Sequence, residues 1–225
     1  MWGSFPLDSG GYNAFYANLQ VAGHYLLTKK GIDVSEYLKN GIPELIFAQA
    51  AMESGDFTDW KWLQCGNCFG MHAPNSRKYY TSVKGSGDGP IACYTKGSLG
   101  VSDMKGAEGF GIEPGFVDYL ARQKQFGVQP YTFVADTIVS GYATTSQANY
   151  YKAWMSKFQQ IFGLGNPDWV AYWQRNAQEI ANGKTGSGNS VRPGDFGVGT
   201  GFASFPWILL VLAGAAYYVY NKQKS

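Results

Sequence analysis

Residues 202–220 form an uncharged stretch of nineteen residues, FASFPWILLVLAGAAYYVY, which constrains the architecture more than any other feature of the chain. At ~1.5 Å of rise per residue, a helix of that length crosses the hydrocarbon core of a bilayer. Trp207 and Tyr220 stand near its two ends, where aromatic rings prefer the membrane interfaces. A buried core helix is the alternative, but no globular sequence follows to cover it. We therefore predict one transmembrane helix over residues 202–220 and a short basic tail at 221–225.

The chain before this stretch divides into a tether and a larger domain. Residues 183–201, GKTGSGNSVRPGDFGVGTG, have the Gly- and Ser-rich composition of a flexible linker. Residues 1–182 remain, which is enough chain for one domain with its own hydrophobic core. The first residues, MWGSFPLDSGG, lack the basic and apolar segments of a secretory signal, so we expect a tail-anchored protein. Lys222 and Lys224, in contrast, favour a cytoplasmic tail and a domain on the other side of the membrane.

Charged residues are few and balanced. The chain has 18 Lys and Arg against 16 Asp and Glu. Both surplus positive charges are Lys222 and Lys224, which leaves residues 1–201 with no net charge. A nucleic-acid binder needs clustered positive charge to displace counterions from phosphates. The composition therefore excludes nucleic acid as a partner.

Apolar spacing and helix-end signals predict a mainly α fold (α+β) for residues 1–182. Phe15 and Leu26 lie on one face of a helix that stops at Gly31. A second helix begins near Pro43 and carries Glu53 at its end. Further helices are predicted at residues 116–125, 131–140, 147–162 and 167–182, and strands at 78–83 and 91–94 predict a small β-hairpin.

Four segments, in this order along the chain, are similar to the motifs of one family. They are AQAAMESG at residues 48–55, NCFGMH at 67–72, ACY at 92–94 followed by Ser98, Ser102 and Asp103, and GYAT at 141–144 followed by Asn149 and Tyr150. Together they resemble the glucosaminidase family of peptidoglycan hydrolases, glycoside hydrolase family 73, over residues 15–162. The resemblance implies a lysozyme-like helical domain.

The resemblance also implies roles for particular residues. Glu53 matches the family's catalytic acid, and Tyr142 matches a tyrosine that faces this acid. By the same resemblance, Asn67, Phe69 and Tyr94 would belong to the substrate cleft. Two departures concern the substrate subsites: residues 56–59 read DFTD where the family often has W-G-x-S, and His72 replaces a Lys.

The chemistry of glycosidic cleavage supports the choice of Glu53. The leaving oxygen must be protonated, and a carboxylic acid does this near neutral pH only if burial raises its pKa. Glu53 ends an apolar helix face that would partly desolvate it, and Gln49 lies one turn earlier, close enough to orient it or contact substrate. Trp60 and Trp62 follow, and they would either stack on sugar rings or pack in the core.

Standard hydrolysis needs a second carboxylate, which the sequence does not single out. The candidates are Asp56, Asp59, Asp88 and Asp103. If Glu53 acts alone, the substrate's own N-acetyl group or C6 hydroxyl would supply the nucleophile. The first route gives hydrolysis, and the second is that of a lytic transglycosylase with an anhydro product.

The cysteines do not form a convincing metal or redox motif. Cys65 and Cys68 make a Cys-x-x-Cys pair, but no second pair completes a zinc site and no thioredoxin-like context surrounds them. We expect no metal and no cofactor. Cys68 and Cys93 are expected to lie on neighbouring segments, as packing thiols or as a disulfide, with Cys65 left over.

These observations predict a membrane-anchored hydrolase of peptidoglycan glycan strands, cutting at N-acetylglucosamine linkages. Its partners would be those strands and, through residues 202–220, a lipid bilayer; no oligomeric state is predicted. Two alternatives stay open: a lytic transglycosylase, and an inactive domain that binds the cell wall as a structural protein of a membrane-containing virion. The conflicting orientation signals favour a bacteriophage particle with a membrane, or else the bacterial cell envelope.

Overall fold

The computed structural model describes residues 4–72, 81–84, 90–94, 114–142 and 146–183. In these residues the protein is mainly α-helical with one small antiparallel hairpin, which confirms the predicted class. No helix in the described ranges combines the length and apolar character that crossing a bilayer requires. The predicted span at 202–220, its tail and all of the predicted linker after Gly183 lie outside the described residues.

The described residues include seven α-helices. The α-helices are α1 (Ser9–Lys30), α2 (Ile42–Glu53), α3 (Trp60–Leu63), α4 (Pro114–Gln125), α5 (Phe133–Thr137), α6 (Gln147–Phe162) and α7 (Pro167–Ala181). Two 3₁₀ turns occupy Ser35–Leu38 and Pro130–Thr132, and a π-type turn occupies Ile138–Tyr142. The first of these turns and α3 were not predicted from the sequence.

Side-chain caps and a left-handed glycine define three of the helix ends. Gly31 takes the left-handed conformation, φ +67°, that closes α1. The Asn166 side chain accepts a hydrogen bond from the Asp168 N–H at the start of α7, as an N-cap does. Ser146 caps α6 in the same way. These caps explain why the predicted bounds of α6 and α7 agree closely with the structure.

Residues 131–140 are helical, as predicted, but they do not form one regular α-helix. This segment divides into the 3₁₀ turn at Pro130–Thr132, helix α5 and the π-type turn at Ile138–Tyr142. Gly141, at φ +78°, takes a conformation that right-handed helices exclude. Gly141 lies directly after the predicted end at residue 140, so the end of the segment agrees with the prediction, whereas the changes of helix type within it were not predicted.

The hairpin is tied to the helical domain by backbone bonds and a disulfide. Strands β1 (Thr81–Lys84) and β2 (Pro90–Cys93) pair antiparallel, with Ser82 opposite Ala92. The disulfide joins Cys65 to Cys93 and Cys68 is a buried thiol, so the alternative of a Cys68–Cys93 disulfide is wrong, and so is the expectation that Cys65 is left over. Sequence spacing could not choose between Cys65 and Cys68, because both lie in the same loop.

An aromatic cluster forms the centre of the domain. Phe15 of α1 lies fully buried, with its ring centroid 4.8 Å from that of Phe116 and 5.0 Å from that of Phe47. Its other ring neighbours are Phe5, Phe57 and Phe69. Since these rings come from the segment before α1, from α1, α2 and α4 and from the loops after α2, their packing fixes the frame in which the candidate site is built.

Replacing Phe15 by Ala should lower the free energy of unfolding by ~3–5 kcal/mol, because it leaves a cavity among rings that cannot all collapse. Chemical denaturation of the full chain measures this. Leu27→Ala is the matched control on the same helix; Leu27 is 51% exposed, so its loss should stay within about 0.5 kcal/mol. Equal losses in the two variants would contradict the central place given to Phe15.

Candidate active site

Helix α2 ends at Glu53, in a turn that the structure holds tightly. The Ser54 hydroxyl donates to the Ala50 carbonyl at 2.6 Å and accepts from the Phe57 N–H at 3.1 Å. Gly55, Asp56 and Phe57 then adopt left-handed conformations in succession, with φ of 55°, 57° and 61°. Such conformations cost free energy in residues with a Cβ, and they persist where other contacts impose them. Here Phe57 is buried among the aromatic rings, and Lys157 holds Asp56 at 2.7 Å.

The Glu53 side chain is partly buried between α6 and the loop that contains Gly70. Its Oε1 accepts a hydrogen bond from the Tyr150 hydroxyl of α6. Its Oε2 lies against the Gly70 backbone, where an added Cβ would stand 2.5 Å away. Gly70 also has φ +62°, so glycine is favoured there both by backbone conformation and by the space that the carboxyl needs.

Burial raises the pKa of Glu53 above its usual value of 4.5. Desolvation of the carboxylate is the largest cause, and the negative charge of Asp59 acts in the same direction. The hydrogen bond from Tyr150 and the positive charge of Lys61 oppose the shift without cancelling it. The position at the C-terminal end of α2 also disfavours a negative charge, since the helix dipole is negative there. Glu53 therefore keeps its proton to higher pH than an exposed glutamate.

Gln49, predicted to touch or orient Glu53 or contact substrate, reaches it through Tyr150. The Gln49 Nε2 donates to the Tyr150 hydroxyl at 3.0 Å, and the Gln49 Oε1 accepts from the Tyr119 hydroxyl at 2.6 Å. Gln49 is 0% exposed, so it supports the site from behind and does not face a substrate. Tyr119 of α4 was not predicted to belong to the site.

Tyr142 lies beside Glu53, as the resemblance implied, but its hydroxyl bonds elsewhere. It donates to the Phe69 carbonyl, and its ring lies 6.3 Å from that of Tyr150. The Arg122 guanidinium sits 4.7 Å from the Tyr142 ring centroid and bonds Ser140, which fixes the turn that carries Tyr142. Burial, followed by the nearby charge of Glu53, raises the pKa of Tyr142 well above 10.0.

Tyr150 donates a hydrogen bond to the Glu53 carboxyl, and the sequence reasoning did not assign it a role. It belongs to the Asn149-Tyr150 pair of the fourth motif, with four residues between GYAT and this pair. It also shares one face of α6 with Trp154, whose Nε1 donates to the Leu45 carbonyl of α2 at 2.9 Å. The sequence signal for this contact was the i, i+4 spacing of Tyr150 and Trp154, which places two large aromatic side chains on the face of α6 that packs on α2.

Several predicted substrate-binding residues lie in the interior instead. Trp62 is 2% exposed and packs against Phe57 and Phe116, so the proposed stacking on a sugar ring is wrong. Phe69 is buried and stacks on Tyr119 with 4.0 Å between ring centroids. Their size and apolar surface favoured the core over the solvent.

Asn67 and Tyr94, also predicted to bind substrate, lie in the interior because their polar groups bond to other parts of the protein. Asn67 is buried; its Nδ2 donates to the Met71 and Ala92 carbonyls, each at 2.8 Å, so it ties its loop to β2. Tyr94 is buried and donates to the Asp118 carboxylate. Their polar atoms are used inside the protein. Trp60, 40% exposed at the start of α3, is the predicted binding residue that stays at the surface.

The candidates for a second carboxylate have other partners or lie outside the described chain. Asp56 pairs with Lys157 at 2.7 Å. Asp59 accepts from the Trp62 N–H at 3.1 Å as the N-cap of α3 and pairs with Lys61 at 3.3 Å. Asp88 and Asp103 are not among the described residues. The part of the chain that the structure describes contains no cluster of three His, Cys, Asp or Glu side chains fit to hold a metal.

Comparison with protein-family models, with curated proteins and with solved structures finds no match to this chain. The lysozyme-like resemblance therefore rests on the sequence motifs alone.

Gly70→Ala should lower the free energy of unfolding more than Gly31→Ala does. Both residues have φ near +65°, where a Cβ costs ~1–2 kcal/mol, but the new methyl meets Glu53 Oε2 at position 70 and nothing within 4 Å at position 31. Denaturation of the full chain compares the two losses.

A Glu53→Ala background provides the internal control for this comparison. It removes the carboxyl that the methyl would meet, so the extra loss at Gly70 should disappear. If Gly70→Ala cost no more than Gly31→Ala with Glu53 present, the described place of the carboxyl would be incorrect.

Proposed function

We propose that this protein cleaves the glycan strands of bacterial peptidoglycan from a membrane anchor, with Glu53 as the general acid. The proposal rests mainly on the carboxyl of Glu53. Burial raises the pKa of this carboxyl, and the hydrogen bond from Tyr150 occupies only its Oε1. A carboxylic acid that keeps its proton near neutral pH is the group that glycosidic cleavage requires. The motif resemblance supplies the substrate class, an N-acetylglucosamine linkage.

In the proposed reaction the proton on Glu53 Oε2 passes to the glycosidic oxygen. The bond between that oxygen and the anomeric carbon breaks, its electron pair stays on the departing oxygen, and positive charge develops on the sugar ring. The Tyr142 ring and the Glu53 carboxylate then lie near the charged centre, and Trp60 offers an exposed aromatic face for a neighbouring sugar. Activity should decline as the pH rises through the raised pKa of Glu53, since the proton is then lost.

A single-carboxylate mechanism is the second candidate. Among the described residues, Asp56 is held by Lys157, and Asp59 is held by Lys61 and the α3 backbone. In their place the substrate's N-acetyl group would attack the anomeric carbon before water does, which gives a reducing product. Attack by the substrate's C6 hydroxyl would instead give the anhydro product of a lytic transglycosylase.

The disulfide bears on where the domain works. Disulfides persist in oxidising compartments and are rare in the cytosol. The Cys65–Cys93 bond therefore supports a domain outside the cytoplasm, in agreement with Lys222 and Lys224 on the cytoplasmic side of a span at 202–220. The proposed setting is the membrane of a bacteriophage particle, from which the domain would reach the wall during genome entry or progeny release. The alternative setting is the bacterial cell envelope.

Glu53→Gln should abolish release of soluble fragments from purified peptidoglycan sacculi, with a loss of at least ~100-fold, because the amide cannot supply the proton. The assay uses the full chain in mild detergent. Glu44→Gln, in the first turn of the same helix, is the matched control and should keep its activity. If neither the wild type nor the variants released fragments while all sedimented with the sacculi, the domain would be a wall-binding structural protein.

The single-carboxylate reading predicts that Asp59→Asn retains most of the cleavage rate, because Asp59 caps α3 and supplies no nucleophile. Mass spectrometry of the fragments then separates the two routes by the mass of water: reducing ends indicate hydrolysis, and anhydro ends indicate attack by the C6 hydroxyl. A loss in Asp59→Asn as large as in Glu53→Gln, in a variant that remains folded, would contradict this reading and make Asp59 the second carboxylate.

A further inference from the structure

We propose that Tyr119 and Gln49 are positioning residues that keep the acidic proton of Glu53 on Oε2, the oxygen that Tyr150 does not bind. The inference rests on the proposed function of Glu53 and adds a buried device that controls it. The device is a chain of three hydrogen bonds that begins at Tyr119 in α4, passes through Gln49 in α2 and Tyr150 in α6, and ends at Glu53.

The direction of each of these three hydrogen bonds follows from the groups at the two ends of the series, Glu53 and Tyr119. A tyrosine hydroxyl has one hydrogen, and a carboxylate can only accept. When Glu53 is ionised, Tyr150 must therefore donate to Oε1, and its oxygen is left to accept from the Gln49 amide nitrogen at 3.0 Å. The Gln49 oxygen then faces Tyr119, which donates to it at 2.6 Å. When Glu53 takes up a proton, Oε1 is already occupied by a donor, so the proton resides on Oε2.

If the Gln49 amide were rotated so that its nitrogen and oxygen exchanged places, the proton would reside on Oε1 instead of Oε2. Its oxygen would accept a hydrogen bond from Tyr150, and the Tyr150 oxygen would in turn accept a hydrogen bond from a proton held on Glu53 Oε1, where a substrate oxygen could not receive that proton. Tyr119 opposes this state because its hydroxyl hydrogen would lose the Gln49 acceptor. Loss of a buried hydrogen-bond partner is costly, so Tyr119 fixes the orientation of the amide.

Burial makes the orientation of these groups matter. Gln49 and Tyr119 are each 0% exposed, and the Tyr119 ring stacks on Phe69 with an interplanar angle of 15°. Tyr150 is 8% exposed. In such surroundings water is scarce as a substitute partner, and hydrogen-bonded groups polarise one another more strongly than in solvent.

The other titratable groups around Glu53 do not decide which oxygen is protonated. Lys61 donates to the Glu53 backbone carbonyl at 3.0 Å, and Asp59 pairs with Lys61. Tyr142 interacts with the charge of Glu53, but its hydroxyl donates to the Phe69 carbonyl. Among the described residues, Tyr150 is therefore the side chain that discriminates between Oε1 and Oε2.

The test measures the titration of Glu53 itself by carbon NMR of its side-chain carboxyl in the full chain in detergent micelles, with Glu53→Gln used to assign the signal. The variants are Tyr119→Phe, Gln49→Met and the double variant. Tyr151→Phe is the matched control, because it removes a buried hydroxyl that donates to the Trp173 carbonyl at 2.6 Å, away from this chain of bonds.

Tyr119→Phe should raise the pKa of Glu53, because the freed amide can turn and stabilise the protonated carboxyl through Oε1. The same variant should slow release of sacculus fragments by about tenfold or more, part of the ~10²–10⁴ that a positioned acid contributes. Tyr151→Phe should change neither. In the Gln49→Met background, which has no amide to turn, Tyr119→Phe should have no further effect on the titration.

Two results would overturn the proposal: an unchanged Glu53 titration in Tyr119→Phe, or an equal effect of Tyr119→Phe with Gln49 and with Met at position 49. The NMR measurement does not depend on catalysis, so it separates this inference from the proposed function. If the titration couples to Tyr119 while wild-type protein releases no fragments, the glycosidase assignment fails and the positioning of the Glu53 proton stands.

Discussion

The hydrogen bond from Tyr150 to Glu53 joins α6 to the end of α2 across 97 residues of sequence, and the rest of the site depends on it. Trp154 and Lys157 reinforce the same contact on either side, through the Leu45 carbonyl and the Asp56 carboxylate. The aromatic cluster behind α2 leaves the helix little freedom to move, so the carboxyl of Glu53 is held in place by its surroundings. A side chain held in this way can keep a raised pKa without collapsing toward solvent.

The site contains features that oppose stability locally. A carboxyl is partly desolvated at the negative end of a helix dipole, and three successive residues after it are left-handed. Backbone strain and unfavourable burial tend to persist where function requires them, with compensation from the surrounding core. Here the compensation comes from Phe57 in the aromatic cluster and from the Lys157–Asp56 pair. The agreement of these independent features at one helix end supports Glu53 as the functional residue.

Much of the fold could be predicted because local physics decides it. Helices α6 and α7 begin at side-chain caps, and α1 ends at a left-handed glycine, so periodicity and end signals sufficed. Glu53 was proposed mainly because residues 48–55 resemble a family motif, and its position at the end of an apolar helix agreed with that role. The changes of helix type within residues 130–142 were not predicted, because a sequence pattern shows that a segment is helical but not which hydrogen bonds close its turns.

The interior of the site could not be predicted because its contacts join distant residues. Gln49 reaches its two partners across 70 and 101 residues, and no local pattern announces such pairing. The same limit applies to the disulfide. Cys65 and Cys68 lie close together in sequence, and only the tertiary path of their loop brings Cys65 to Cys93. This limit also explains Asn67 and Tyr94, whose polar groups are used inside the protein.

The most direct test of the central claim is a crystal structure of the Glu53→Gln variant with a bound glycan fragment from peptidoglycan. Our account predicts a glycosidic oxygen within hydrogen-bonding distance of the oxygen or nitrogen that replaces Oε2, with Tyr150 still bound to the other atom of the amide. A glycan bound elsewhere on the domain, with position 53 left in contact with protein alone, would contradict the assignment of Glu53 as the acid.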